Sequence, residues 1–464
     1  MNVKLSKLVI AALASTSMMG FGGLAHADST NDIVNALVMK GVLTEEEGAL
    51  LTKGRTGEVE AAQKKAKSNP TMEVGKKGLV IKGADGDFSM KIGGRMHADY
   101  TTHGNEAGLA AAKQPINGSQ IRRGRMALSG TVYHDFDYMI EEDFANDAVA
   151  TKDLFMVYHG FNAPLELTVG HQKHAMSMEI QESSNDIMFT ERSFVSALTV
   201  PYFDRAIGLN LKGFGDNWNV QSGYYGDSMG TSATKATVQN NEGNGFGVRG
   251  TWAPIMEKGK VLHVGLNYGY RNPSEAGLSN GKESKFSYKT TNMSELSVIS
   301  LTAPSDLDNV KTGIAELSGM YGPLSFQSEF AKTKVSRTSN ANADLTAWYA
   351  QAGYTLTGES RTYKGSDGEF KRLVPKNNFS LSKGTWGAWE VAGRYDRIDL
   401  VDGGLDGGKA SRVTASLNWY LNEDVRVLAG YSRSFDMSGN ALKKADGSYA
   451  NNIDVFALRT QWAF

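Results

Sequence analysis

From about residue 78 onward, apolar and polar residues alternate along the chain with a period of two. In the segment 86–101, for example, Met90 and Ile92 lie on one face and Lys91 lies on the other. A period of two is typical of a β-strand that has one apolar and one polar face. Because the alternation continues over about 13 residues, the segment is long enough to cross a bilayer as a tilted strand.

Sixteen such segments, separated by clusters of Gly, Asn, Asp and Pro, are predicted to be strands. They are residues 86–101, 119–133, 135–145, 151–160, 163–173, 205–214, 216–226, 245–254, 259–271, 309–321, 323–335, 344–357, 385–400, 409–422, 424–435 and 452–464. An even number of strands near sixteen is typical of a barrel that encloses an aqueous channel. The sequence therefore predicts an all-β fold, a transmembrane antiparallel β-barrel of about 16 strands over residues 78–464. A soluble sandwich or propeller is the alternative, but its strands would be about half as long.

The N-terminal residues have the pattern of an export signal. Lys4 and Lys7 precede an apolar run, and Ala25-His26-Ala27 forms an A-x-A cleavage site. Residues 1–27 are therefore predicted to be a cleaved signal peptide for export. Together with the predicted barrel, this signal indicates the cell outer membrane of a Gram-negative bacterium. The formal net charge of −1 becomes −3 without the two lysines, which argues against nucleic acid as a partner.

Residues 28–77 show a different pattern, with apolar residues at helical spacing followed by a charged run. Thr44 and Glu47 form a capping box at the start of a second helix. We expect a short periplasmic helical segment that is either a solvated tether or an oligomerisation or cell-wall contact.

The composition agrees with a closed sheet and limits the possible chemistry. Gly is abundant at 52 residues, whereas Pro is rare at 9, and proline would remove hydrogen bonds from a strand ladder. The absence of cysteine from the sequence excludes disulfides, thiolate metal sites and covalently attached haem. We expect no cofactor and no bound metal.

The last predicted strand alternates to the end of the chain, where Phe464 closes its apolar face. This terminal aromatic residue resembles the signal by which outer-membrane barrels are recognised. We expect Phe464 to contact the barrel assembly machinery, and the outer face of the barrel to contact outer-membrane lipids.

Two stretches resemble the phosphate-selective porin O and P family. The first combines Gly170-His171-Gln172-Lys173 with residues 182–193, which begin Glu182-Ser183-Ser184. The second runs from Tyr354 to Arg361 and continues through residues 384–395 to Asp399-Leu400. Together with Arg122-Arg123, these motifs occur in family order, and the resemblance covers residues 86–464.

The resemblance implies a sixteen-stranded barrel, usually a homotrimer, whose third extracellular loop folds inward and narrows the pore. The long break at about residues 174–204 is the expected constriction loop, because it is too long for a turn and lacks the strand period. Such a protein is an outer-membrane porin that forms a water-filled channel for passive diffusion of small anions, phosphate or related oxyanions.

Selective passage of anions requires fixed positive charge and hydrogen-bond donors at the narrowest point. Arginine suits this role because its planar fork donates to two oxygens at once. Arg123 and Arg125 share strand parity and are expected to face the lumen, and the resemblance adds further residues to the site. The predicted anion-binding constriction consists of Arg122, Arg123, Arg125, Asp153, Ser183, Ser184 and Arg192. Alternatively, the strand arginines pair with Asp137, Glu141 or Asp143, and the loop arginine pins the loop to the wall.

The chain also departs from the family pattern. It has no R-x-R-x-R ladder, and Ile180 stands where the resemblance places a lysine. A general or weakly selective diffusion porin, or a structural or adhesive barrel, therefore remains an alternative. We do not expect an enzyme, because the sequence contains neither a G-x-S-x-G nor an H-E-x-x-H motif.

Overall fold

The computed structural model describes residues 29–53, 70–75, 78–104, 108–109, 115–231, 241–280, 282–450 and 452–464. The predicted signal peptide lies outside these residues. The chain divides into two compact units, Met1–Pro70 and Thr71–Phe464, and each is described by itself.

The N-terminal unit contains two short helices, α1 at Ser29–Met39 and α2, whose described part is residues 45–53. The predicted capping box is present at the start of α2. The Glu47 backbone N–H donates to Thr44 Oγ1 at 3.2 Å, and the Thr44 backbone N–H donates to Glu47 Oε2 at 2.9 Å. These two bonds satisfy backbone donors that a helix start leaves unpaired. None of the described helices has the length and apolar character needed to cross a membrane.

The second unit is a closed antiparallel β-barrel, as the sequence predicts. Eighteen strands form its main sheet; β1 and β2 are an attached hairpin, and the other sixteen close into the barrel through pairing of the last strand with β3. The sixteen are β3 Ser89–Gly104, β4 Gly118–Val132, β5 Phe136–Asp143, β6 Ala150–Tyr158, β7 Leu165–Lys173, β8 Arg205–Phe214, β9 Trp218–Tyr225, β10 Asn244–Glu257, β11 Lys260–Asn272, β14 Leu307–Tyr321, β15 Leu324–Arg337, β16 Ala343–Thr355, β19 Ala388–Asp402, β20 Leu405–Tyr420, β21 Val425–Ser438 and β22 Asn452–Ala463.

The attached hairpin differs from the sequence-based expectation. Its strands are β1 Thr71–Gly75 and β2 Gly78–Lys82, and β2 also pairs with the first residues of β3. Residues 71–75 are therefore strand, although the predicted helical segment extended to residue 77. Five-residue strands are too short to show a clear period, so the sheet edge that they join determines their conformation.

The alternation of the sequence separates an outer face from an inner face. On β11, Leu266 and Tyr268 are exposed on the outside, whereas His263 and Asn267 are buried inside the barrel. An apolar outer face and a polar inner face are typical of a barrel that crosses a membrane.

The C-terminus completes the seam between the last and first barrel strands. The Phe464 backbone N–H donates to Gly94 O at 3.0 Å, and Gly94 N–H donates to Phe464 O at 3.1 Å. A Cβ atom on Gly94 would lie 2.8 Å from Arg125 O and 3.3 Å from the Phe464 ring. Glycine at this position therefore allows Phe464 to pack against the strand.

Three long connections fold into the barrel. They are loop L3 (residues 174–204), loop L5 (273–306) and turn T6 (356–387). L3 contains helices α3 Met178–Gln181 and α4 Val195–Phe203; L5 contains α5 Glu275–Asn280, β12 Lys285–Lys289 and β13 Ser297–Thr302; T6 contains β17 Thr362–Lys364 and β18 Glu369–Lys371. Connections alternate between the two ends of an antiparallel barrel, so T6 enters from the end that holds the C-terminus.

Apolar side chains of these connections pack against one half of the inner wall. Phe194 and Leu198 of L3 pack with Phe286 of L5 and with the wall residues Val310 and Leu345. Phe370 of T6 belongs to a second cluster with Met178, Val261 and Met320. The inner face of β14–β20 is therefore largely buried, whereas inward side chains of β4–β7 remain partly accessible. The open passage runs along the β4–β7 wall.

Candidate functional site

The paired arginines of β4 both point into the lumen because the strand contains a β-bulge. Arg123 pairs with His97 on β3, but the next paired residue is Ile121, so Arg122 is the extra residue. A bulge inserts one residue into a strand and redirects its side chain. Simple alternation would send one of two consecutive arginines towards lipid.

Arg122 forms a bidentate ion pair with Glu191 of L3. Its Nε lies 2.7 Å from Glu191 Oε1 and its Nη2 lies 3.2 Å from Oε2. Burial alone would raise the pKa of Glu191, but the attraction of Arg122 dominates and holds that pKa well below its usual value. Glu191 therefore stays ionised and neutralises Arg122.

Arg125 is neutralised by two wall carboxylates. It contacts Glu141 at 2.7 Å and Asp143 at 2.9 Å, so the sequence-based alternative of a strand ion pair applies to this residue. Arg95 contacts the other oxygen of Glu141 at 2.6 Å and donates to Ser183 Oγ and Ser184 Oγ at 3.3 and 3.4 Å. Through Arg95, both predicted serines of L3 are thus connected to the wall.

Arg192 is bound to its own loop rather than to a wall carboxylate. Its Nε donates to Glu179 O at 2.9 Å and its Nη2 donates to Glu182 O at 2.8 Å. Its own carbonyl accepts hydrogen bonds from Tyr288, Arg394 and Arg412. Among the described residues, no carboxylate lies within 4.0 Å of the Arg192 guanidinium, so Arg192 does not pin the loop through an ion pair with the wall.

Asp153 is paired with the first residue of β8. Its two oxygens accept hydrogen bonds from Arg205 Nε and Nη2 at 2.8 and 2.9 Å. Because this bidentate contact occupies both oxygens, Asp153 holds the start of β8 against β6 and cancels the charge of Arg205.

A cavity of about 920 Å³ brings four of the predicted residues together. Arg122, Arg123, Arg125 and Arg192 line it, whereas Ser183, Ser184 and Asp153 do not. Sequence reasoning missed several further cations of the lining. These are Lys152, Lys173, Arg205, Lys285 and Lys289. Lys173 and Arg205 are the last residue before L3 and the first residue after it, so their position at the loop boundary was the available signal.

Lys173 lies beside Arg192 at the base of L3. Its Nζ donates to Gln181 O at 2.8 Å and to Glu182 O at 3.5 Å. The Glu182 side chain is buried, and burial raises its pKa to about 8. This rise disfavours the ionised carboxylate and weakens the negative charge beside Lys173 and Arg192.

No metal centre is present in the part of the chain that the structure describes, since no three His, Cys, Asp or Glu side chains are grouped there as metal ligands. His171 lines the cavity, and His174 Nδ1–H donates to the Asp204 carbonyl oxygen at 3.1 Å.

The sequence matches a known protein family over most of its length. Residues 90–464 match the model of the family described as phosphate-selective porin O and P. The chain belongs to this family. Porin O of Pseudomonas aeruginosa is 29% identical to it over 429 residues, which cover 84% of this chain and 91% of Porin O. An uncharacterized protein of Caulobacter vibrioides is 26% identical, covering 79% of this chain and 73% of that protein.

Solved structures of other outer-membrane proteins share the fold of this porin. An anion-selective porin from Comamonas acidovorans has a TM-score of 0.50 at 12% identity and covers 81% of this chain and 100% of its own. A loop-deletion mutant of OmpT, an outer membrane protein of Vibrio cholerae, has a TM-score of 0.50 at 9% identity and covers 82% of this chain and 100% of its own. Family membership and fold identify an outer-membrane porin of a Gram-negative bacterium.

Proposed function

We propose that this porin is an anion channel for passive diffusion of phosphate or related small oxyanions. The observation that carries the proposal is the charge of the cavity, which among the described residues is lined by nine Lys or Arg side chains and three Asp or Glu side chains. A low-dielectric wall focuses the field of such charges and raises the local concentration of anions. The family description, phosphate-selective porin O and P, and the similarity to Porin O of Pseudomonas aeruginosa support the same assignment.

Arg123, Lys173 and Arg192 carry the effective positive charge in this proposal. Within the described residues, none of them has a carboxylate within 4.0 Å, whereas Arg122, Arg125 and Arg205 are paired. Ser183 and Ser184 lie outside the cavity lining and accept hydrogen bonds from Arg95, which connects L3 to the wall. Neutralised arginines shape the constriction, and the unpaired cations attract the anion.

The same proposal includes the assembly of the protein. Residues 1–27 act as a signal peptide. The barrel assembly machinery recognises Phe464. The mature porin is a homotrimer embedded in outer-membrane lipids. It acts by diffusion rather than by catalysis, as expected for a family of channels, and the helical segment predicted within residues 28–77 lies in the periplasm.

Purified porin in a planar bilayer tests the proposal. We expect discrete conductance steps in potassium chloride, and a decrease of the chloride current when phosphate or sulfate is added. Steps without any effect of oxyanions would favour a general diffusion porin. Absence of steps would favour a structural barrel, and a current carried by potassium would contradict the proposal.

A further inference from the structure

Two cations of the cavity are anchored on the same backbone oxygen. Lys173 Nζ and Arg192 Nη2 lie 3.5 and 2.8 Å from Glu182 O, although Lys173 ends strand β7 and Arg192 lies in the second half of L3. A shared acceptor keeps the ammonium and guanidinium groups close together. Two like charges held on one acceptor repel each other, and an anion bound between them would offset this repulsion by attracting both.

Two glutamates of L3 near Lys173 and Arg192 form hydrogen bonds with other residues. Glu179 accepts hydrogen bonds from the Ser193 N–H and hydroxyl at 2.8 and 2.7 Å and faces Arg394. Glu182 Oε2 accepts from Gln327. The hydrogen bonds of Lys173 and Arg192 end on neutral carbonyl oxygens, and within the described residues no carboxylate oxygen lies within 4.0 Å of either cationic group.

Free donors remain on both side chains. Arginine has five N–H groups and lysine has three; Arg192 uses two of them on carbonyls and Lys173 uses two. Both side chains are partly accessible and line the same cavity. The carbonyl contacts fix their positions, so an arriving anion does not have to order them.

We propose that Lys173 and Arg192 form a single oxyanion-binding pair that holds one tetrahedral, doubly charged oxyanion between them. This inference rests on the proposed function and adds Lys173 to the site. One oxyanion carries enough oxygens to accept hydrogen bonds from both groups at once. Chloride is a single atom, so it cannot place separate oxygens on the two N–H groups of the guanidinium.

The primary test compares Lys173→Gln with Lys285→Gln. Glutamine at position 173 keeps an N–H donor on a side chain that is one bond shorter and removes the charge, and Lys285 supplies a matched loss of charge in the same cavity. The readout is the phosphate concentration that halves the chloride current. We expect Lys173→Gln to raise this concentration by about tenfold, because a charge-assisted hydrogen bond is lost. We expect Lys285→Gln to raise it by about twofold or less, through long-range charge alone.

A double-variant cycle tests whether one anion contacts both groups. If it does, the effects of Lys173→Gln and Arg192→Gln are not additive, because either change alone removes the two-sided contact. Additive effects, or equal effects of Lys173→Gln and Lys285→Gln, would overturn the pair. An increased conductance with unchanged phosphate block would also overturn it, since Lys173 would then only hold the loop.

Wild-type porin provides a test that does not depend on variant folding. Phosphate should slow acetylation of Lys173 relative to Lys285, as measured by mass spectrometry of the modified protein. Equal rates with and without phosphate would contradict the pair. If the wild-type channel selects anions but the acetylation rates are equal, only the proposed pair is rejected. If the wild-type channel selects cations, the proposed function itself is rejected.

Discussion

Individual arginines around the cavity differ in whether a carboxylate neutralises them. Arg122 is paired with Glu191, whereas Arg123 and Arg192 have no carboxylate partner among the described residues. A neutralised arginine contributes shape and hydrogen-bond donors, but an unpaired one also contributes an attractive potential in the narrow channel. Selectivity should therefore depend on a few of the many basic residues.

Arg192→Ala should lower the ratio of anion to cation permeability several-fold and weaken phosphate block, because an unpaired lumen charge is lost. Arg192→Lys should keep most of the permeability ratio but lose part of the block, since an ammonium lacks the two-pronged contact. Conductance, zero-current potential and phosphate block are measured on each protein. Arg397→Ala, which lies outside the cavity lining, is the control. A larger conductance without loss of block would show that Arg192 only holds the loop.

Glu191→Gln should have the opposite effect on selectivity. It removes the carboxylate that pairs with Arg122 at 2.7 Å and leaves one more uncompensated positive charge in the cavity. We expect a higher permeability ratio of chloride to potassium, measured from the zero-current potential. A lower ratio would mean that Glu191 matters mainly by holding L3 in place.

Much of this residue pattern could not be predicted from the sequence. Strand parity correctly placed Arg123 and Arg125 on the lumen face, but it could not place Arg122, because no sequence signal marks the bulge. Ion pairs between distant segments, such as Arg205 with Asp153, also produce no repeating pattern in the sequence. Lys173 was missed because it lies at the last position of a strand, where the alternation ends.

Strands are the elements that the sequence predicted best. All sixteen predicted strands overlap barrel strands of the structure, because the period-two pattern is imposed by lipid on one side and a polar lumen on the other. The inward course of T6 was not predicted. Its Phe370 packs against Met178 of L3, and such a contact depends on the closed barrel rather than on local sequence.

Strand β22 provides a prediction at this scale. Deleting Phe464, or replacing it with Asp, should block assembly in the outer membrane while export continues, because Phe464 joins the closing strand to Gly94. Membrane fractionation with immunoblotting measures the outcome. Leu458→Ala, an outward residue of the same strand, is the control for a general loss of apolar surface. Normal outer-membrane levels of the Phe464 variants would reject a role of this residue in assembly.

For the whole molecule, barrel closure means that every barrel strand is paired on both sides. A closed sheet has no free edge, and its backbone groups are satisfied internally. We expect purified porin to keep a sheet-rich circular-dichroism spectrum in detergent and to migrate slowly in gels until heated near boiling. A spectrum dominated by helix, or unfolding at moderate temperature, would contradict this description.

The interior is asymmetric, with L3, L5 and T6 packed against one half of the wall and a basic passage along the other. Anion selectivity of this passage is the central claim, and the zero-current potential across a gradient of potassium chloride tests it most directly. We predict a potential whose sign shows that chloride is more permeable than potassium, and a decrease of its magnitude in Arg192→Ala. A wild-type potential that shows potassium to be more permeable would contradict the account.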